Sequence, residues 1–306
     1  MKNKLIKITP SQNPFPTFVL CPPTYVDTSI KNNAWMKDMP DEEIALDENK
    51  FLGQWYNLYN NISANALVYL LPPKKGLQDQ TYVNSFVYLP HIKDKNIVIL
   101  SNFKGEGRAG EEVVAGNFLK QLGYKTFKSP TYFEGWPECK WTGKDNKYYC
   151  GYGQRSVKET YKWLEKEFDV APILLQEKDP YLYHLDCSVF VLNKDNVMMC
   201  TDIFSKKELK AVEKIANIHP VSIDAAYMGA CNSLRIDNFM FNASSLEFMR
   251  VTDKYYQDEV KKNKEIEKIA AKVGLELVYQ DISEAWKSGA LLSCFCAPLN
   301  HTDIAY

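Results

Sequence analysis

YLYHLDCSVF, residues 181–190, sets one histidine and one acid into an otherwise apolar run. Its aromatic and β-branched content reads as the head of a strand over 183–192, YHLDCSVFVL. Side chains alternate faces along a strand, so His184 and Asp186 are expected on the same side. The chain has four histidines, and one placed beside an acid in an apolar setting has two readings. It is a core imidazole held by a carboxylate, or an acid/base group whose proton affinity is adjusted by a neighbouring charge.

Runs of the same kind recur on both sides: TFVLCPP (17–23), ALVYLLPP (66–73), TYVNSFVYL (81–89), NIVILSNF (96–103) and NVMMCTDIF (196–204). Helices are expected between and after them, over 49–62, 109–121, 156–167, 205–216 and 253–272. In the last of these, Tyr256, Val260, Ile266, Ile269 and Ala270 form one apolar stripe among charges, the pattern of a surface helix. The alternation is that of an α/β protein. No Gly/Ser- or Pro-rich linker interrupts it, which points to one continuous domain over 1–306. A strand, strand, helix, strand rhythm recurs, although no repeat is visible as sequence identity.

The 306 residues are 45% hydrophobic and 25% charged, with a formal net charge of −1. This balance offers no basic face for nucleic acid or an anionic membrane and suits a small-molecule ligand. No stretch reaches the ~18–20 consecutive apolar residues of a membrane span. The N-terminus starts basic but lacks a continuous apolar core and a cleavage site, so a cytoplasmic protein is expected. Eight cysteines at 21, 139, 150, 187, 200, 231, 294 and 296 are scattered rather than crowded, as befits buried thiols. Cys294 and Cys296 form the one close pair, without the second pair that a structural metal site would use, so no metal and no cofactor is expected.

Four further segments could carry chemistry. SGALLSCFCAPLN (288–300) puts Cys294 after small residues that let a backbone turn closely around a ligand, and a thiol there becomes a nucleophile if a cation stabilises its thiolate. FEGWPECKW (133–141) sets Glu134 between an aromatic and a glycine, either as a turn residue or as a partner for a cation. GLQDQTYVNSF (76–86) carries Asp79 and Asn84, and loop acids before strands are commonplace. GYGQRS (151–156) and CPPTYVDTSIKNNAWMK (21–37) complete the series.

In this order, from about residue 20 to 299, these segments resemble the guanidine-modifying enzyme superfamily of arginine deiminases, dimethylarginine hydrolases and amidinotransferases. Within it they are most similar to the catalytic domain of arginine dihydrolase. The resemblance implies a pentein fold: five ββαβ-like modules around a pseudo-fivefold axis, with substrate in the central channel. It places catalytic roles on Cys294, His184, Glu134 and Asp186, with Cys296 as a supporting residue. Glu134 and Asp186 would hold a guanidinium over the Cys294 sulfur, and His184 would shuttle protons to the leaving amine and from water. Arg108 of GEGRAGEE and Arg155 would grip the α-carboxylate of a free amino acid, and Asp79 joins them on the substrate side. Asn84 matches a family asparagine linked to passage beyond citrulline to ornithine, and Asn33 matches a second family asparagine before the Trp-Met pair.

The chain departs from the family at Trp136-Pro137-Glu138, at Asn33-Ala34-Trp35 and at Ser85. Arginine dihydrolysis is therefore weighed beside two alternatives: dimethylarginine hydrolysis or arginine deimination to citrulline, and a non-catalytic binding protein on the same scaffold. The partner implied is arginine or a modified arginine, with a homo-oligomer also compatible.

Overall fold

The computed structural model describes residues 13–300; the basic start of the N-terminus, whose reading bore on secretion, and residues 301–306 lie outside it. Fifteen strands are found among the described residues. In chain order they are β1 (Thr17–Leu20), β2 (Leu67–Leu70), β3 (Phe86–Tyr88), β4 (Ile97–Leu100), β5 (Lys125–Lys128), β6 (Cys139–Trp141), β7 (Lys147–Tyr152) and β8 (Ala171–Gln176). They continue with β9 (Val189–Asn193), β10 (Asn196–Cys200), β11 (Asn217–Val221), β12 (Leu234–Ile236), β13 (Phe239–Ala243), β14 (Glu276–Gln280) and β15 (Ala297–Asn300). They form five three-stranded sheets, β15-β1-β2, β3-β4-β5, β6-β7-β8, β9-β10-β11 and β12-β13-β14.

Each sheet is built the same way. Its first strand pairs antiparallel with the middle one, and the middle one pairs parallel with the last. A parallel pair needs a crossover, and the helices Glu48–Ser63, Glu111–Gln121, Lys158–Phe168, Lys206–Glu213 and Tyr256–Val273 each supply one. The ββαβ rhythm is thus five structural modules. β15 pairs with β1 to complete the fifth sheet from the two ends of the chain. Residues from the first strands β3, β6, β9, β12 and β15 line one common cavity, so all five modules face a shared axis.

Burial follows position in the module. The middle strands β1 and β4 are wholly buried, and β10 and β13 are buried but for their first residue. Their sequences accordingly read as nearly unbroken apolar runs. The outer strands β2, β5 and β11 are half exposed. In the helix Glu48–Ser63, buried Phe51, Trp55, Leu58 and Ile62 form the inward stripe, and the Asp47 side chain caps the first turn by accepting from the Lys50 amide. Tyr256–Val273 is the surface helix expected from its pattern, with Lys261, Lys264, Glu267 and Lys268 exposed. Beside Ile266, Ile269 and Ala270 its inward face buries an ion pair, Lys262 to Glu259 at 2.7 Å. The Lys262 ammonium also donates to the carbonyl of Ala243.

The strand expected over 183–192 begins only at Val189. His184 is extended (φ −125°, ψ 152°), but Leu185–Cys187 close a 3-10 turn in which Cys187 N–H donates to His184 O at 3.0 Å. A turn, and not strand alternation, therefore sets the relation between His184 and Asp186. The strand expected over 81–89 likewise shortens to β3, because 81–85 bend into the site.

Gly135 couples this framework to the site. At φ +71°, an added Cβ would be driven into the carbonyl oxygen of Asn84 and lie 2.9 Å from that of Phe86. Gly274 also has positive φ, yet a Cβ there meets nothing within 4 Å. Gly135→Ala is expected to cost roughly 3 kcal/mol or more in chemical denaturation, against about 1 kcal/mol for Gly274→Ala, which suffers only the left-handed backbone penalty.

Candidate active site

The 3-10 turn Leu292–Phe295, just before β15, carries Cys294. Asn232, at the corresponding place before β12, holds that turn: its Oδ1 accepts the Ser293 amide at 2.8 Å, and its Nδ2 donates toward Cys294 Sγ at 3.7 Å. Ser293 Oγ in turn donates to Asp186 Oδ2 at 2.6 Å, which brings the HLD turn against the cysteine turn. The loop leading in is fixed from two sides, by Asn33 Nδ2 donating to Ser288 O at 2.9 Å and by the Tyr183 hydroxyl donating to Gly289 O at 2.8 Å. Cys296 is fully enclosed in the apolar cluster with Phe51, Tyr82 and Phe295. Cys294, by contrast, opens onto two cavities that it shares with His184.

One of these cavities gathers most of the residues singled out in the sequence: Asn33, Asp79, Asn84, Arg108, Arg155, His184 and Cys294, with Tyr82 and Ser288. Among its buried polar atoms, Asn84 Oδ1 has no hydrogen-bond partner among the described residues, and the Tyr82 and Ser288 hydroxyls have only each other. Buried polar groups are seldom left so, and a polar ligand would satisfy them. Glu134 and Asp186 flank this cavity instead of lining it.

Glu134 corrects the expectation that it faces a guanidinium. Wholly buried, it accepts from the amides of Lys104 (3.1 Å) and Gly105 (2.7 Å), from Arg155 Nη1 (3.1 Å) and from His184 Nε2 (2.8 Å). Burial opposes its charge, but Arg155 and the bond from His184 outweigh that and hold the carboxyl well below the usual range. Glu134 is thus the group that orients the imidazole, and it leaves His184 Nδ1 as the nitrogen able to exchange protons in the cavity.

The arginines are likewise engaged. Arg108 donates Nε and Nη2 to the two oxygens of Glu111 (3.0 and 2.8 Å) and Nη2 also to Tyr82 O (2.6 Å), while Nη1 makes no hydrogen bond among the described residues. Arg155 Nη2 donates to Asn32 O at 2.7 Å, with the guanidinium over the Tyr183 ring. Asn32 also donates to Asp79, whose carboxyl is pushed upward by burial. Each arginine therefore reaches the cavity held by a carboxylate partner.

Sequence reading passed over Asn232, Lys140, Glu138 and Glu177. Lys140 is buried on β6 with its ammonium 3.5 Å from the centre of the Trp136 ring. Burial lowers it to about 8, although Asp186 works the other way. One cation between Cys139 and Trp141 was the available signal. For the glutamates there was only the departure at Glu138.

No family model matches the chain. It is 26% identical over 230 residues, 73% of its length, to the bifunctional arginine dihydrolase/ornithine cyclodeaminase AgrE of Nostoc sp. strain PCC 7120, of which those residues are 31%. The chain therefore spans about a third of that relative's length. It is 22% identical over 283 residues to the dimethylarginine dimethylaminohydrolase of Mycobacterium tuberculosis, 90% of this chain and 83% of that one. Among solved structures, the N-terminal domain of the cyanobacterial arginine dihydrolase ArgZ with product bound superposes with a TM-score of 0.80 at 21% identity, over 93% of this chain and 97% of that one. The same domain has been captured with a covalently bound reaction intermediate. The fold is that of the guanidine-modifying superfamily, and the chain resembles its arginine dihydrolases and dimethylarginine hydrolases.

Burial disfavours the charged forms of both Cys294 and His184. Burial, with Asp186 nearby, pushes Cys294 up to about 12, and burial pushes His184 below the usual imidazole range. A thiol with so high a pKa is protonated from neutral pH to pH 9, so thiolate absorbance at 240 nm from Cys294 should be absent there, judged against Cys294→Ser. A guanidinium ligand, by adding positive charge, should bring that absorbance in at lower pH; a thiolate signal in the free protein at pH 8 would contradict this.

Proposed function

We propose that the protein hydrolyses the guanidinium group of free arginine through a covalent Cys294 adduct and carries the reaction through to ornithine and ammonia. The observation that supports this most is the single buried cavity onto which Cys294, His184, two arginines and the unpartnered Asn84 amide oxygen open together. The AgrE and ArgZ resemblance supports the same substrate. We take residues 1–306 as one catalytic unit and place it in the cytoplasm. All eight cysteines are free thiols, and no helix among the described residues is long and apolar enough to cross a membrane.

In this reading Asp186 receives the guanidinium, while Arg108 Nη1 and Arg155 meet the α-carboxylate and Asp79 the α-ammonium. The arriving cation favours thiolate, and the Cys294 proton passes to His184. Sulfur attacks the guanidinium carbon. The tetrahedral intermediate collapses as His184 returns the proton to the departing nitrogen, ammonia leaves, and an S-alkylthiouronium remains on Cys294. His184 then takes a proton from water, whose oxygen adds to the same carbon, and cleavage of the C–S bond restores the thiol and frees citrulline. With citrulline kept in the site and Asn84 Oδ1 accepting from its ureido nitrogen, a second attack by Cys294 on the ureido carbon expels the second ammonia and leaves an S-thiocarbamate; a second water cleaves its C–S bond, restoring the thiol, and the carbamate released loses carbon dioxide to give ornithine.

A second reading, dimethylarginine hydrolysis ending at citrulline, is favoured by the Mycobacterium tuberculosis relative, which aligns over most of both chains. Incubation with arginine should yield ornithine and two ammonia per arginine consumed. Cys294→Ala should lose roughly 10³-fold or more in kcat. Citrulline as the end product, or turnover of methylated arginine alone, selects the second reading, and full activity in Cys294→Ala overturns both.

A further inference from the structure

Behind His184, on its Nε2 side, lie two carboxyl groups that this reaction does not use. Glu138 ends the loop before β6 and Glu177 follows β8. Glu138 is wholly buried and Glu177 nearly so; their carboxyls lie against each other, no other side chain among the described residues donates to them, and Glu177 also meets the backbone of Gln154. The two meet over Gly151 of β7. A Cβ there would lie 2.5 Å from Glu177 Oε1 and collide with Glu138 Oε2, so the acids occupy the space a side chain on that strand would fill. The backbone beneath them is pinned: the Tyr161 hydroxyl donates to the carbonyls of Glu138 (3.0 Å) and Gly151 (2.5 Å). Glu138 Oε1 faces His184 Nε2 at 3.8 Å.

An ionised carboxylate can only accept hydrogen bonds, and two bare carboxylates side by side in an interior cannot both stay charged. We propose that Glu138 and Glu177 share one proton as an acid–carboxylate pair, and that this singly charged pair is a positioning element that sets the proton affinity of His184. One O–H between them gives Glu138 the partner it otherwise lacks, and Glu177 a second one beside the Gln154 backbone. Burial raises both carboxyls above the carboxylate range, for Glu138 with the added push of the neighbouring Glu177, so the pair does not give up its last proton at neutral pH.

The other charged groups around the imidazole are Glu134, which bonds Nε2, Arg155, which opposes its protonation, and Asp186, which favours it. Lys140 interacts with Asp186 and Glu138 from β6. Against the burial that disfavours imidazolium, the pair adds negative charge at 3.8 Å from the ring nitrogen. On the reading above, in which His184 exchanges protons with Cys294 and substrate, this charge lets the imidazole accept the thiol proton.

The test needs no turnover, so it fails separately from the arginine reading. The protein has four histidines, and His184 is assigned in histidine-labelled protein by NMR as the resonance lost in His184→Gln. Glu138→Gln moves the negative charge to Glu177, away from the imidazole, and the His184 titration midpoint should fall. Glu177→Gln donates an amide N–H to Glu138 and localises the charge beside Nε2, and the midpoint should rise. Glu138→Asp, which draws the carboxylate back, serves if Glu138→Gln does not fold and should also lower it. General damage would move Glu138→Gln and Glu177→Gln the same way, so shifts of one sign, or none, overturn the proposal. A wild-type midpoint that responds to exchanging Na⁺ for K⁺ or ammonium at constant ionic strength would place a cation between the acids and overturn it too. In turnover, Glu138→Gln should lower kcat about tenfold with KM unchanged and move the pH profile with the titration.

Discussion

A single enclosed carboxylate ties the site to the fold. Glu134 sits in the loop entering β6, yet it accepts from backbone amides after β4, from Arg155 after β7 and from His184 before β9. Three consecutive modules are therefore fastened to one another through one side chain. Removing it would leave Arg155 buried without its carboxylate, a kind of loss that typically costs ~3–5 kcal/mol. The imidazole would lose the bond that fixes which nitrogen faces the cavity. Position and proton affinity are thus set by the same contact.

The modules also explain why the candidate residues gather in one region. Asn84 precedes β3, Glu134 and Glu138 precede β6, and His184 and Asp186 precede β9. Asn232 precedes β12, and Cys294 precedes β15. Each first strand is thus entered through a polar residue at an equivalent place. The segments after the middle strands β1, β4 and β7 bring Asn33, Arg108 and Arg155 over the same region. Five copies of one short motif present unlike side chains to a common point, and each can vary without disturbing the sheets.

The same arrangement decides what could be read from the sequence. Long crossover helices carry several turns of apolar periodicity, and the middle strands β1, β4 and β10 read as apolar runs, so these were legible, whereas the middle strands β7 and β13 were not read as strands. Outer strands such as KTFK and first strands such as CKW are three or four residues long and carry no pattern that distinguishes them from loops. Equivalent residues such as Asn232, His184 and Cys294 share a place and not an identity, so the repeat was invisible as identity. The candidate residues were legible through a family resemblance, but their partners were not. That Glu134 faces an imidazole, and that Arg108 is already paired with Glu111, depends on residues far apart in the chain. Glu138 stood out only as a departure from the family pattern and Glu177 not at all, since nothing local marks a carboxylate as buried.

Charge also separates the two halves of the proposed reaction. Arginine brings a cation that pairs with Asp186 and stabilises a thiolate which the free protein disfavours. Citrulline brings neither, since its ureido group is neutral. Retaining it for a second attack then depends on groups indifferent to that loss. Arg108 and Arg155 still meet the α-carboxylate, and the Asn84 amide oxygen, without a partner among the described residues, can accept from a ureido nitrogen as well as from a guanidinium. Activating the thiol a second time without a substrate cation falls to His184, whose readiness to take the proton is set by the acids behind it. A site that stopped at citrulline could rely on substrate charge alone; one that proceeds to ornithine must hold a neutral intermediate by its ends and supply the missing electrostatics from its own buried carboxyls.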